Sequence, residues 1–175
     1  TLAGEYETCE GDSVMLSVEL TGIGPWEITL GNNDVVTADE SPFTQYVSPE
    51  ITTEYHVLTV SDQSGCMNQG EGMAYVMVHN LPAFSLGADT SMCFYDTLMV
   101  SAPEGYAEYL WSDGSSGMQM MVDSAGVGME GTKDIWLSVT DTNGCESTEH
   151  LFVEFTTCAG INEFSAEDIQ VFPNP

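Results

Sequence analysis

Five cysteines, at positions 9, 66, 93, 145 and 158, and 28 acidic side chains are the reactive groups this 175-residue sequence offers. Cysteine can bind metal as thiolate, act as a nucleophile, or oxidise to a disulfide. Zinc sites need close Cys-x-x-Cys or Cys–His spacing, and none occurs. The chemistry expected is therefore oxidation to disulfides in an oxidising compartment. Cys66 and Cys145 end matching strings, Val60-Ser-Asp-Gln-Ser-Gly-Cys66 and Val139-Thr-Asp-Thr-Asn-Gly-Cys145. Their carboxylates, Asp62 and Asp141, are the calcium candidates, because hard cations take carboxylate and carbonyl oxygens from loops. Asp-x-x-Gly is also an ordinary β-turn, and no Asp-x-Asp-x-Asp loop is present, so the first expectation is no cofactor.

Catalysis is not expected. The sequence has no Gly-x-Ser-x-Gly, no His-Glu-x-x-His and no phosphate-cradling glycine loop. His56, His79 and His150 fall in or at the ends of expected strands, as surface residues. Acid pairs such as Asp39-Glu40 and Glu167-Asp168 are adjacent in loops, with no cleft implied between them.

One lysine (Lys133) and no arginine stand against the acids, for a formal net charge of −27. Such a surface repels phosphate backbones and anionic lipid, which argues against nucleic acid and direct membrane insertion. The acids number 13 in residues 1–81 and 12 in 82–156, so they form a solvated surface on folded domains and not an acidic tail. At 42% hydrophobic the chain can bury a core. No apolar run reaches the length of a membrane span, and no basic-then-apolar leader opens the sequence. Thr1 reads as the start of a fragment or mature product, and the end at Asn174-Pro175, in mid-motif, suggests a longer gene product.

The elements that must position these residues repeat. Cys9-Glu-Gly-Asp-Ser-Val-Met-Leu-Ser-Val and Cys93-Phe-Tyr-Asp-Thr-Leu-Met-Val-Ser-Ala share Cys-x-x-Asp-[Ser/Thr] before an apolar run. Trp26 and Trp111 follow 17 and 18 residues later, and the two Asp-x-x-Gly-Cys strings close the pattern. An offset of 79 to 85 residues is too long for a solenoid unit and suits a small β-sandwich. Val14, Leu16, Val18 and Leu20 alternate, as do Trp26, Ile28 and Leu30; Ile135, Leu137 and Val139; and Leu151, Val153 and Phe155. Period two means strands with one buried face. Turn residues separate the strands, and no helical period runs over ten or more residues. Met118, Met120 and Met121 share one expected strand, with core filling the preferred role.

The fold expected is all-β, two tandem immunoglobulin-like β-sandwiches, residues 1–81 and 82–156, followed by a linker at 157–168. Each half has an early and a late cysteine with a tryptophan between them, which resembles the Cys…Trp…Cys arrangement of immunoglobulin-like domains. Spacing alone leaves 15 ways to make two bridges from five cysteines; the resemblance implies Cys9–Cys66 and Cys93–Cys145, with Cys158 left over.

The tail, Ala159-Gly-Ile-Asn-Glu-Phe…Ile169-Gln-Val-Phe-Pro-Asn-Pro175, resembles the opening of the C-terminal sorting domain of the Bacteroidota type IX secretion system, through Val171, Phe172, Pro173, Asn174 and Pro175. Residues 169–175 would be its start. Both repeats are similar to the Ig-like or PKD-like modules that precede such domains in surface proteins: Leu86-Gly-Ala-Asp-Thr-Ser-Met-Cys93 and Tyr109-Leu-Trp-Ser-Asp-Gly114 in the second, Cys9-Glu-Gly-Asp-Ser13 and Gly24-Pro-Trp26 in the first. The resemblance implies export by the type IX machinery, an extracellular or outer-surface location, and neighbouring surface proteins or glycans as partners. It also implies O-glycosylation at Asp-[Ser/Thr]-apolar triplets, here Ser13, Thr97 and Ser124. The function expected is a non-catalytic spacer or adhesin module. The alternatives are a sugar- or protein-binding module, with Phe94, Tyr106 and Tyr109 as aromatic candidates, or an accessory domain of a secreted enzyme.

Overall fold

A computed structural model describes residues 1–158, so most of the expected linker and the whole sorting motif (Val171, Phe172, Pro173, Asn174, Pro175) lie outside the described residues. Fourteen strands and no helix form among them. The chain divides into two units. The first takes in Thr1–Ala83, Gly105–Glu108 and Val139–Ser147; the second takes in Phe84–Glu104, Tyr109–Ser138 and the described residues from Thr148.

The first unit uses β1 (Gly4–Cys9), β2 (Val14–Val18), β3 (Trp26–Leu30), β4 (Val35–Ala38), β5 (Phe43–Val47), β6 (Thr53–Ser61), β7 (Met67–Gln69) and β8 (Met73–His79). Its larger sheet runs β1-β8-β6-β3-β4, with β7 also on β6; β2 and β5 make the smaller sheet. The first strand lies parallel to the last, β1 on β8, and the other pairs are antiparallel. Alternation in sequence becomes burial in space. Leu16 and Val18 of the small sheet are buried together with Trp26, Ile28, Val57, Ala74 and Val76 of the large one. Each such aliphatic side chain contributes about 1.5–3 kcal/mol when taken out of water.

The second sandwich is built from β9 (Thr90–Cys93), β10 (Leu98–Ser101), β11 (Glu108–Trp111), β12 (Gln119–Val122), β13 (Gly131–Thr140) and β14 (Glu146–Thr156). The sheets are β11-β13-β14-β9 and β10-β12, with β9 again parallel to β14. In chain order β9, β10, β11, β12, β13 and β14 reproduce β1, β2, β3, β5, β6 and β8. The first sandwich adds only β4 and β7. Trp111, Ile135, Leu137, Val153 and Phe155 are buried, with Met120 inward and Met121 outward on β12. Each repeat's tryptophan donates its indole N–H to a backbone carbonyl, Trp26 to Thr21 at 3.0 Å and Trp111 to Gly117 at 2.7 Å. The chain is thus all-β, with two immunoglobulin-like sandwiches and two disulfides.

The disulfides differ from those expected. Cys9 bonds Cys145, Cys93 bonds Cys158, and Cys66 is a free, exposed thiol. Strand geometry forbids Cys9–Cys66. Cys9 is level with His79 at the end of β8, and β6 runs antiparallel to β8 with Thr53 beside Val76. Cys66 lies beyond the far end of β6, more than about 35 Å along the sheet at the usual rise per residue. A disulfide needs Cα atoms within about 7 Å. The same argument excludes Cys93–Cys145: Cys93 is level with Thr156 at one end of β14, and Cys145 precedes Glu146 at the other. Cys158, left over in the expected pairing, follows β14 by two residues and so comes beside Cys93, with Cα atoms 5.4 Å apart.

Candidate functional site

The chemically distinctive feature is a turn that occurs twice. After β6, the Asp62 N–H donates to the Cys66 carbonyl at 3.0 Å and the Gly65 N–H to the Asp62 carbonyl at 3.0 Å. Asp62 Oδ1 accepts the N–H groups of Ser64 (3.0 Å) and Cys66 (3.1 Å). After β13, the Asp141 N–H donates to the Cys145 carbonyl at 2.9 Å and the Gly144 N–H to the Asp141 carbonyl at 3.2 Å. Asp141 Oδ1 accepts from Asn143 (2.8 Å) and Cys145 (2.9 Å). The carboxylate is needed in both because two backbone N–H groups converge on one oxygen, and the glycine because its φ is +80° and +87° in the two turns.

These bonds favour the charged carboxylate. The Ser64 hydroxyl holds Asp62 below its ordinary pKa, helped by the Cys66 and Ser64 N–H groups. The Cys145 N–H, followed by the Asn143 N–H and amide, does the same for Asp141. Asp113 is lowered by Ser115 in the turn after β11. As calcium candidates, Asp62 and Asp141 sit within turns of their own making, and no three His, Cys, Asp or Glu side chains converge on one point among the described residues.

The two turns part company in their cysteines. Cys145 is completely buried and bonded to Cys9, whereas Cys66 is exposed. The early cysteines also sit in matching turns. Asp12 N–H donates to the Cys9 carbonyl and Asp96 N–H to the Cys93 carbonyl, both at 3.0 Å. Ser13 and Thr97, next along, are exposed at equivalent places, and Ser124 is half-buried. Ser13 Oγ lies 2.8 Å from Ser48 Oγ.

Among the described residues the remaining candidates do not assemble into a reactive centre. His79 pairs with Glu7 at 3.2 Å and His150 with Asp134 at 2.8 Å, both at the surface, while His56 lies on β6. The aromatic candidates are occupied. The Tyr109 hydroxyl donates to the Pro103 carbonyl at 2.9 Å, the Tyr106 hydroxyl to Ala83 at 3.1 Å, and Phe94 packs edge-on to Tyr95. Sequence reasoning missed an apolar recess of about 360 Å³ between the sheets of the first unit. It is lined by Leu2, Leu16, Phe43, Val47 and Tyr55, with Glu54 also on its wall. Burial there raises the Tyr55 phenol's pKa. Its one sequence signal is the short β2–β5 pair, which covers less of the core than the larger sheet facing it.

No family model matches this chain, and no curated protein matches it in sequence. Solved structures resemble it in outline. Domains IG1 and IG2 of DIP-gamma align at 7% identity over 90% of this chain and 95% of theirs, with a TM-score of 0.38. The fibronectin(III)-like modules of Clostridium thermocellum CbhA align at 12% identity over 90% and 94%, at 0.36. A Ca2+-stabilized, ice-binding adhesin of an Antarctic bacterium aligns at 16% identity over 85% of this chain and 45% of that one, at 0.44.

Proposed function

We propose that this chain is a non-catalytic spacer or adhesion module of an extracellular protein, held at the outer cell surface. The observation that carries this reading is the presence of two disulfides, Cys9–Cys145 and Cys93–Cys158, in a chain of two sandwiches with one strand order. Disulfides persist in oxidising compartments, and small sandwiches gain from them the stability a modest core does not supply. A formal net charge of −27 favours solubility and disfavours nucleic-acid contact. The candidate groups for acid–base or nucleophilic work are spread over separate turns and strands, so the sandwiches serve as scaffold.

The route of export in this proposal is type IX secretion, read from the Val171–Pro175 motif, with the secretion machinery as partner and surface glycans or proteins as neighbours. Glycans are placed on Ser13, Thr97 and Ser124. The test is surface biotinylation and intact mass of the protein in its own cells, with and without substitution of Phe172 and Pro173 by alanine. The expected result is surface-labelled, oxidised protein with added mass on the Asp-[Ser/Thr] peptides, and loss of labelling in the variant. Five free thiols in protein that is never labelled would overturn the reading.

A further inference from the structure

We infer that the outward face of β8 in the first unit, which bears Met73, Tyr75 and Met77 between two rows of glutamates, is the docking surface for a basic amphipathic helix of a different protein. Alternation along β8 puts Ala74 and Val76 fully inside the core, so residues 73, 75 and 77 face solvent. All three are large and apolar, and they are 52%, 36% and 38% exposed. Single exposed apolar side chains are ordinary, but three at successive outward positions of one strand form a continuous stripe. The registers of the neighbouring strands then place acids on both flanks. β1 sets Glu5 beside Tyr75 and Glu7 beside Met77, while β6 sets Glu54 beside Tyr75 and His56 beside Met73. Glu5, Glu7 and Glu54 are all exposed, and Glu7 also pairs with His79 at 3.2 Å. β14, which takes the place of β8 in the second repeat, has no such stripe: its outward Phe152 stands between His150 and Glu154. The stripe is therefore a property of the first unit and not a requirement of the fold.

Charge and dimension name the occupant. An apolar strip bordered by carboxylates is complementary to an apolar strip bordered by Lys or Arg. This chain has one lysine and no arginine, so a second copy has almost nothing to set against the glutamates. Nucleic acid and anionic lipid are repelled. The two glutamate rows stand two strand spacings apart, about 10 Å, which is the width of an α-helix with its side chains. The stripe from Met73 to Met77 runs about 13 Å at the usual rise, a little over two helical turns. A helix lying along β8 with its apolar seam down sets its basic side chains against Glu5 and Glu7 on one flank and Glu54 on the other. The unbranched methionines adapt to whichever apolar residues the seam carries. The inference rests on the adhesion half of the function proposed above and names the chemistry of the partner.

The first test uses the unaltered chain with its ten methionine methyl groups isotope-labelled, titrated in an NMR tube with a helical leucine–lysine peptide that carries a single leucine seam. The Met73 and Met77 signals should move while those of Met15, Met99 and Met121 stay still, and a scrambled peptide of the same composition should bind severalfold more weakly. Signals that move elsewhere, or equal binding of the scrambled peptide, would show general attraction to an acidic surface and overturn the inference. Met73→Ser combined with Met77→Ser should weaken binding about tenfold, through the apolar burial lost. Glu5→Gln combined with Glu54→Gln should weaken it severalfold and flatten its dependence on salt, and Met15→Ser should leave it unchanged. The second test treats the full-length protein in its own cells with a carbodiimide, which joins carboxylates to lysine amines in direct contact. Glu5, Glu7 or Glu54 should be found joined to a lysine of another protein, in a segment with apolar residues at helical spacing. Adducts to Lys133 of a second copy, to a segment without that spacing, or only at acids elsewhere on the chain overturn the inference. Surface biotinylation of the same cells reads location separately. Labelled protein without these adducts refutes the docking surface and leaves the spacer reading standing, whereas protein that is never labelled removes that reading and the inference with it.

Discussion

At the scale of single residues, two side chains show how the sequence is spent. Trp111 has no exposed surface and donates its indole N–H to the Gly117 carbonyl, so Trp111→Ala removes both packing and that hydrogen bond. A loss of about 3–5 kcal/mol in chemical denaturation is expected. Asp62 and Asp141 work by charge. Their pKa values are lowered by folding, so their contribution is fully present above the ordinary carboxylate pKa and is lost as pH falls through the folded values. Asp141→Ala should therefore lower the melting temperature near neutrality, and the gap from the unaltered protein should close in strong acid. A gap that stayed constant with pH would mean the carboxylate's charge is not what the turn uses.

At the scale of strands, the larger part of the architecture was legible. Period-two alternation at Leu16 and Val18, at Ile135 and Leu137, and at Leu151, Val153 and Phe155 names the faces that are buried. The disulfide pairing was not legible, because alternation tells which face a residue takes and not which end of the sheet it occupies. Cys9, Cys93, Cys66 and Cys145 all lie at strand ends or in turns, where an inter-sheet core bridge would need strand interiors. Nor does the sequence announce that first and last strands pair in parallel, which brings Cys158 to Cys93 and leaves Leu81 at the corresponding place in the first repeat. The strands β4 and β7 have no counterpart in the second repeat, so the repeat could not foretell them. The connection from β7 to β8 depends on backbone proximity: Gly72 has φ +87°, and a Cβ there would lie 1.9 Å from the Leu2 carbonyl oxygen. Gly72→Ala should cost about 1–3 kcal/mol and loosen the N-terminal segment, which hydrogen exchange at Leu2 would register.

At the scale of the whole molecule, charge and cross-links set the balance. Repulsion among 28 acids set against one lysine is screened by salt, so the thermal midpoint at neutral pH should rise with ionic strength. Cys9–Cys145 and Cys93–Cys158 span 136 and 65 residues of sequence. The chain-entropy estimate for closing the shorter loop alone is about 4 kcal/mol, and reduction should lower the unfolding midpoint accordingly. The longer bridge has a mechanical consequence too. When the described chain is pulled from its ends, tension runs from Thr1 to Cys9, crosses to Cys145 and leaves along β14 to Cys158. The covalent path bypasses residues 10–144, which add no length to it even when they unfold. The molecule behaves as a tether of nearly fixed contour length, and in single-molecule stretching only the reduced form should pay out the slack stored in its sandwiches.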